Sequence, residues 1–318
     1  MSLDVLRWHR SAYETDADLA RERADAEALG LRWGLWPEVT PPPRLAQARA
    51  LVVTSGVRVT DDILAVWGGE LLICTTSGFD HVDVDAACRR GIAVARCPLA
   101  RRDAVVERTL GALLHLLHRV DPQAREAAVG RWARGALPEL APRTLAGARI
   151  VVVGLGIIGT QVASVLTALG ASVTGVDPYA RPGGPRLDDV LEGTDAITLH
   201  CALSPSARGL LSAERLARLP RHAVVVNTAR GESLDVQAAV DMVAQARLGG
   251  LAVDVFPVEP YPDLAVGAAT PGVLFTPHSA GFTHDLGARV ARGVQDALRA
   301  WSRGEPLPFY VGETPAGW

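Results

Sequence analysis

Three charged side chains stand just after apolar runs in the second half of this chain. Arg230 lies in Asn227-Thr228-Ala229-Arg230-Gly231 after Ala223-Val224-Val225-Val226. Glu259 lies in Asp254-Val255-Phe256-Pro257-Val258-Glu259-Pro260 after Leu251-Ala252-Val253, and His278 in Pro277-His278-Ser279-Ala280-Gly281 after Val273-Leu274-Phe275. A guanidinium grips a carboxylate through two parallel N–H bonds. An imidazole moves protons near neutral pH, and a carboxylate beside it stabilises its protonated form. Together they meet the demands of reducing a 2-keto acid: a cation for the carboxylate and carbonyl, a proton donor for the developing alkoxide, and a partner for that donor. An open parallel sheet gathers the loops after its strands at one edge, which is where these three segments belong.

The run from Arg149 to Asp177 explains what else that edge holds. Ile150-Val151-Val152-Val153 reads as a strand, Gly154-Leu155-Gly156-Ile157-Ile158-Gly159 as a turn into an apolar helix, and Val173-Thr174-Gly175-Val176-Asp177 as a second strand ending in an acid. Gly154 allows the tight turn, Gly156 lets the backbone approach a pyrophosphate, and Gly159 lets helix and strand pack closely. The N–H groups at Ile157 and Ile158, free at the helix start, hold phosphates. Asp177 is placed to accept hydrogen bonds from the adenosine ribose, and its charge opposes a 2′-phosphate, so the pattern selects NAD over NADP; Arg181 nearby works against that preference. The unit is the opening βαβ of a Rossmann dinucleotide-binding domain.

The elements that must carry these residues follow from periodicity. Ala196-Ile197-Thr198-Leu199 adds a further strand, and helices are expected at Leu187–Leu191, Ser212–Ala217 and Leu234–Arg247, the last stopped by Gly249-Gly250. Nearly unbroken apolar strands alternating with helices predict a doubly wound parallel sheet. Before it, strands at Asp4–Trp8, Ala50–Val53, Leu71–Cys74 and Ile92–Val94 alternate with helical stretches at Ala17–Leu29, Thr60–Trp67 and Val84–Arg89, predicting a second, smaller α/β domain. Apolar positions from Val105 to Leu117 recur at helical spacing, so Arg102–Val120 reads as a helix crossing between domains, ended by Asp121-Pro122; Leu286 to Trp301 reads as the helix that returns. The predicted division is 1–100 with 285–318 as the substrate domain and 101–284 as the nucleotide-binding domain. Pro41-Pro42-Pro43 breaks any regular element.

Bulk properties agree and exclude other classes. The 318 residues, 48% of them hydrophobic, carry a net charge of -3. That balance gives no surface for nucleic acid or membrane. Met1 to Arg10 has neither the apolar core nor the cleavage site of a secretory leader, so the expected location is cytoplasmic. Cys74, Cys88, Cys97 and Cys201 are scattered without ligand spacing, predicting reduced thiols, no metal and no disulfide framework. All 32 basic residues are arginine, which excludes lysine Schiff-base chemistry. His115 and His118 read as packing or surface residues, and Asp80 and Asp83 as caps and turn residues.

The whole chain resembles the D-isomer-specific 2-hydroxyacid dehydrogenases, through Ser77-Gly78-Phe79-Asp80, Val106-Glu107, Gly154 to Gly159, Asn227 to Gly231, Asp254 to Pro260 and His278 to Gly281, in that order. The resemblance implies a flavodoxin-like substrate domain beside the Rossmann domain, NAD as cofactor, a homodimer with Arg131-Trp132 and the preceding helix as contact material, and hydride transfer between nicotinamide and a D-2-hydroxy acid or its 2-keto partner. It implies that Arg230 binds the substrate carboxylate and polarises its carbonyl, that His278 is the acid/base, and that Glu259 hydrogen-bonds His278. Asp254 then orients the nicotinamide, Thr228, His278 and Gly281 border the cofactor, and the backbone N–H groups of Ser77 and Gly78 form a second carboxylate clamp.

This chain departs from the family pattern in one loop. Cys97-Pro98-Leu99-Ala100-Arg101-Arg102 carries two arginines where relatives commonly have glycine, asparagine and small residues; they form either a solvated hinge or a cleft-facing pair that selects an anionic substrate tail. Cys74 occupies a position where phosphoglycerate-specific relatives tend to place an arginine. The Val105-Val106-Glu107 and Ala280-Gly281-Phe282-Thr283 segments are similar to the erythronate-phosphate branch, whose extra C-terminal domain is not expected here. A phosphorylated or phosphonate-bearing acid is thus an alternative substrate. A non-catalytic NAD(H)-sensing protein like the family's corepressors is an alternative function, set against the lack of low-complexity extensions.

Overall fold

The computed structural model describes residues 3–312, which divide into two units: those up to Asp103 with those from Phe282 on, and Ala104–Gly281. In the first, β1 (Leu3–Trp8), β2 (Trp33–Trp36), β3 (Ala48–Val53), β4 (Leu71–Cys74) and β5 (Ala93–Arg96) form a parallel sheet in the order β5-β4-β3-β1-β2. This is the flavodoxin-like order. Alternation along each strand splits the core in two. Leu6, Trp8, Leu51, Val53 and Leu72 meet Leu64 and Trp67 of the Asp61–Trp67 helix. Val5, Ala50, Val52, Leu71 and Ile73 face Ala26 of the Asp16–Ala28 helix and Leu286, Val290, Val294 and Leu298 of the Leu286–Ser302 helix. Because both faces are covered, all four residues of β4 are buried, which is why it reads as an unbroken apolar run. Arg7 on β1 is fully buried as well, and it forms ion pairs with two carboxylates, Glu14 and Glu22.

The second unit holds β6 (Arg149–Val153), β7 (Ser172–Val176), β8 (Ala196–Leu199), β9 (Val224–Asn227), β10 (Gly250–Val253) and β11 (Val273–Phe275). All pair in parallel, in the order β11-β10-β9-β8-β6-β7. One face packs Val153, Leu199, Val225 and Leu251 on Val240 and Val243; the other packs Val152, Val224 and Val226 on Leu113, Leu116, Leu117, Val162 and Leu166. Each fully buried leucine of this set contributes roughly 2 kcal/mol. The chain runs out from β6 to β7 and then crosses back to β8, so the strand order reverses at β6 and opens a crevice beyond its carboxyl end.

Several elements differ from the sequence expectation. The crossing helix is Leu99–Leu117, three residues earlier at each end than the expected span. Arg119, at φ 56, separates it from a second helix, Val120–Ala128. Asp121-Pro122 therefore opens a helix instead of ending one, because a proline in the first turn lacks an N–H that needs no partner there. The helix expected over Leu234–Arg247 is Val236–Ala244, capped by Asp235. Gly249 does not cap it: a Cβ there would stand 2.2 Å from the His222 carbonyl oxygen, and Gly250 already belongs to β10. Edge strand β2, the Leu264–Ala269 helix and a two-residue strand β12 (Tyr310–Val311), antiparallel to β5, had no periodic signature.

Candidate active site

The nucleotide end of the second unit is organised by its glycines. Gly154 sits at φ 92, where a Cβ would meet the Cys201 backbone nitrogen at 2.6 Å, and a Cβ on Gly159 would lie 1.8 Å from the Gly154 oxygen. Those two serve packing. Gly156 differs, since a Cβ there would meet nothing within 4 Å. Open space thus lies over the start of the Ile157–Ala168 helix, and the N–H groups of Gly156, Ile157 and Ile158 find no acceptor among the described residues. This cradle, with its unanswered donors, fits a pyrophosphate. Asp177 is buried at the end of β7. One of its oxygens accepts the Leu155 N–H at 2.7 Å and the other the N–H groups of Tyr179 and Ala180 at 2.9 Å each. Its carboxylate therefore ties the glycine turn to the loop after β7.

His200, given no role by sequence reasoning, backs this turn: a Cβ at Gly159 would be 3.2 Å from its Cβ. Burial pushes its imidazole down to about 3, and its Nε2 lies 2.9 Å from Thr198 Oγ1. A neutral ring behind the cradle leaves the helix N–H groups as the local source of positive potential.

The three chemically suggestive residues follow adjacent strands β9, β10 and β11 at the same sheet edge. Asn227, fully buried at the end of β9, accepts the Ala229 N–H at 3.0 Å and donates to the Arg230 carbonyl at 2.9 Å, which shapes the turn that presents Arg230. Gly231 must be glycine, since a Cβ would collide with Phe256 at 1.9 Å. Arg230 Nη1 donates to the Ala229 carbonyl at 2.7 Å. Thr228 Oγ1 lies 3.2 Å from the buried Thr109 hydroxyl.

Asp254, buried at the end of β10, uses both oxygens on the next loop. Oδ1 accepts Thr276 Oγ1 at 2.5 Å and Ser279 N–H at 2.9 Å, and Oδ2 accepts Ala280 N–H at 2.9 Å. Its carbonyl accepts the His278 N–H at 2.7 Å, and His278 sits at φ 51, the left-handed region. Glu259 is anchored through Oε1, which accepts Phe256 N–H at 3.0 Å, and its Oε2 lies 2.8 Å from His278 Nδ1. The imidazole is half exposed, and its Nε2 has no partner among the described residues. The arrangement offers a proton at Nε2 from a ring whose other nitrogen a carboxylate fixes.

In the first unit, Ser77 and Gly78 lie in the half-buried loop after β4. Asp83 caps the Val84–Arg89 helix by accepting the Ala86 N–H at 2.8 Å. Arg101 is half-buried and donates to the Thr75 carbonyl and to the Tyr13 hydroxyl. Arg102 pairs with Asp103 at 2.8 Å. Sequence reasoning assigns no separate role to Asn227, Thr109 or Thr276; an amide or hydroxyl next to a strand end is the available signal for Asn227 and Thr276, whereas Thr109 lies within the Leu99–Leu117 helix and its partner Thr228 is remote in the chain.

Residues 110–280 match the D-isomer specific 2-hydroxyacid dehydrogenase, NAD binding domain. The chain belongs to that family. Its cofactor is NAD, and its architecture is the Rossmann type of the family. The chain is 31% identical to a D-3-phosphoglycerate dehydrogenase of Methanocaldococcus jannaschii, over 82% of this chain and 51% of that one. It is 30% identical to a glyoxylate/hydroxypyruvate reductase of Arabidopsis thaliana, over 84% of each. It thus spans about half the length of the phosphoglycerate dehydrogenases it matches. Among solved structures, the protein TT0316 of Thermus thermophilus superposes with a TM-score of 0.77 at 30% identity, covering 96% of this chain and 99% of that one. A D-lactate dehydrogenase of Aquifex aeolicus superposes at 0.81 with 23% identity, over 95% and 96%, a likeness of fold. No helix among the described residues is long and apolar enough to cross a membrane.

Proposed function

We propose that this chain is an NAD-dependent oxidoreductase that interconverts a D-2-hydroxy acid and its 2-keto acid. The observation that carries the reading is the His278–Glu259 pair, 2.8 Å apart, on loops after two strands of the sheet whose β6 turn forms the nucleotide cradle. When bound, NAD supplies the hydride acceptor and its reduced form the donor. Arg230 binds the substrate carboxylate and polarises the adjacent carbonyl. His278 gives its Nε2 proton to the oxygen as alkoxide character develops and takes it back in the reverse direction, while Glu259 fixes the ring through Nδ1. Asp254 keeps the His278 loop in place from its buried position, and in the first unit the N–H groups of Ser77 and Gly78 serve as carboxylate donors.

A 2-keto acid panel with NADH and NADPH, followed by loss of reduced-cofactor absorbance, tests this. Turnover of at least one acid with NADH is expected; turnover of none would sink the reaction, and equal or better use of NADPH would overturn the assignment of Asp177 as a selector against the 2′-phosphate. The panel includes phosphorylated and phosphonate acids, because the relatives include phosphoglycerate dehydrogenases. The same reading takes the protein to be a cytoplasmic homodimer. Trp132, 89% exposed, and Val129, 62% exposed, would be covered in that dimer, and sedimentation of Trp132→Arg beside the parent protein tests it.

A further inference from the structure

The loop after β4 is held from its carbonyl side. Arg101 Nη1 donates to the Thr75 carbonyl at 2.5 Å, Arg96 Nη1 to the Ser77 carbonyl at 2.8 Å, and Thr76 Oγ1 to the Gly78 carbonyl at 2.6 Å. The backbone N–H groups of Thr76, Ser77 and Gly78 meet no acceptor among the described residues. In a trans peptide the carbonyl of one residue and the N–H of the next point in opposite directions. Fixing the carbonyls of Thr75 and Ser77 therefore fixes the N–H groups of Thr76 and Gly78 on the other side.

Both arginines are themselves anchored. Arg96 ends β5, in register with Cys74, and its guanidinium lies 5.8 Å from the Phe79 ring centre. Arg101, early in the Leu99–Leu117 helix, donates to the Tyr13 hydroxyl and lies 5.2 Å from that ring. Neither has a carboxylate within ion-pair distance among the described residues. The Cys74 thiol beside Arg96 supplies no counter-charge, because burial keeps it protonated. Arg96 Nε is buried without an acceptor. The loop thus presents unanswered N–H donors backed by two cations lacking an anionic partner, an arrangement that favours an anion in front of it.

We propose that Arg96 and Arg101 are positioning residues that set the Thr75–Gly78 loop as a clamp for the substrate carboxylate, acting through its backbone and not by direct contact. The proposal rests on the oxidoreductase reading for the identity of the anion, but its geometry is local to the first unit. It gives Arg101 a task distinct from both a solvated hinge and a direct contact with a substrate tail.

The test uses the full chain loaded with NADH and titrated calorimetrically with oxalate, a dicarboxylate that cannot be reduced by hydride at this site. Arg96→Gln and Arg101→Gln are each expected to weaken oxalate binding by roughly tenfold, the scale of a lost charge-assisted hydrogen bond. NADH affinity should stay within about twofold, since the cradle lies in the other unit. With any 2-keto acid that the parent protein reduces, KM rises more than kcat falls, the signature of lost uniform binding. Arg102→Gln, which removes only the Asp103 pair, serves as the unaffected control. Lysine variants recover part of the oxalate affinity, because one ammonium can still reach one carbonyl; should a glutamine variant fail to fold, its lysine counterpart carries the test. Oxalate affinity unchanged in the variants overturns the proposal, as does absence of oxalate binding by the parent, or equal loss of oxalate and NADH affinity. A protein that reduces no acid yet binds oxalate in an Arg96- and Arg101-dependent way would refute the reaction and leave the clamp standing.

Discussion

His278 Nδ1 lies 2.8 Å from Glu259 Oε2, while the other oxygen of that carboxylate is held at 3.0 Å by the backbone N–H of Phe256. The carboxylate is therefore fixed before it meets the ring, and the ring is fixed before it meets a substrate. His278→Gln is expected to lower kcat by about 10²- to 10⁴-fold, the usual worth of a positioned acid/base, with NADH affinity retained. Glu259→Gln keeps the hydrogen-bonding shape but loses the charge, so its kcat should fall less. Steady-state rates for both variants check this; a His278→Gln enzyme as fast as the parent would remove the imidazole from the chemistry.

Arg230 follows β9 on a turn built by Asn227. Arg230→Lys retains charge but not the two-pronged geometry that matches a carboxylate, so it should be nearly as damaging as Arg230→Ala. The measurement is kcat/KM for both variants against the best acid of the panel. Full activity in the lysine variant would mean that a point charge suffices.

The glycines of the nucleotide turn should separate by experiment. Gly156→Val adds bulk to open space and should abolish NADH binding while leaving the melting temperature close to the parent's. Gly159→Ala forces a Cβ against the Gly154 oxygen, so it should lower the melting temperature. Fluorescence titration with NADH alongside thermal melts distinguishes them, and retained NADH binding in Gly156→Val would count against the cradle.

Asp195 supplies a pH test of the fold. Burial pulls its carboxyl upward, but the backbone N–H of Arg149 at 2.8 Å, the Arg149 side chain at 3.3 Å and His222 Nε2 at 2.7 Å outweigh that and hold it at about 2. A carboxyl with a depressed folded-state pKa stabilises the protein above its unfolded value of 3.8, and that contribution is lost as pH falls toward 2. Asp195→Asn should therefore melt several degrees below the parent at pH 7, with the gap closing between about pH 4 and 2. A gap independent of pH would assign the loss to packing.

Strands such as Val151–Val153 and Leu71–Cys74 were legible in the sequence because a parallel sheet covered on both faces writes an unbroken apolar run, and the glycine turn was legible because its spacing is set by local backbone geometry. The resemblance to the family rested on the same short-range signals in order. Less was readable where neighbours in space are remote in the chain. Arg101 could be assigned to a hinge or a cleft because nothing near it in sequence names the Thr75 carbonyl or Tyr13 as its partners. His200 carries no sequence signal, because a half-buried neutral imidazole leaves no periodic trace. Strand β12 and the break at Arg119 were hidden for a related reason: two residues carry no period, and a left-handed residue other than glycine has no compositional marker.

The sequence by itself determined the class of both sheets, the nucleotide turn and the residue types available for acid/base and carboxylate chemistry, since these follow from side-chain period and from glycine's freedom at fixed spacing. Only the tertiary structure decided how those residues are held: Glu259 on His278, Asp254 spent on the loop that carries His278, Asp177 on the backbone of the glycine turn, and two arginines on the carbonyls beside Ser77. Hydrogen-bonding groups accept any partner of the right chemistry, so their choice is made by which strand ends the fold brings within reach.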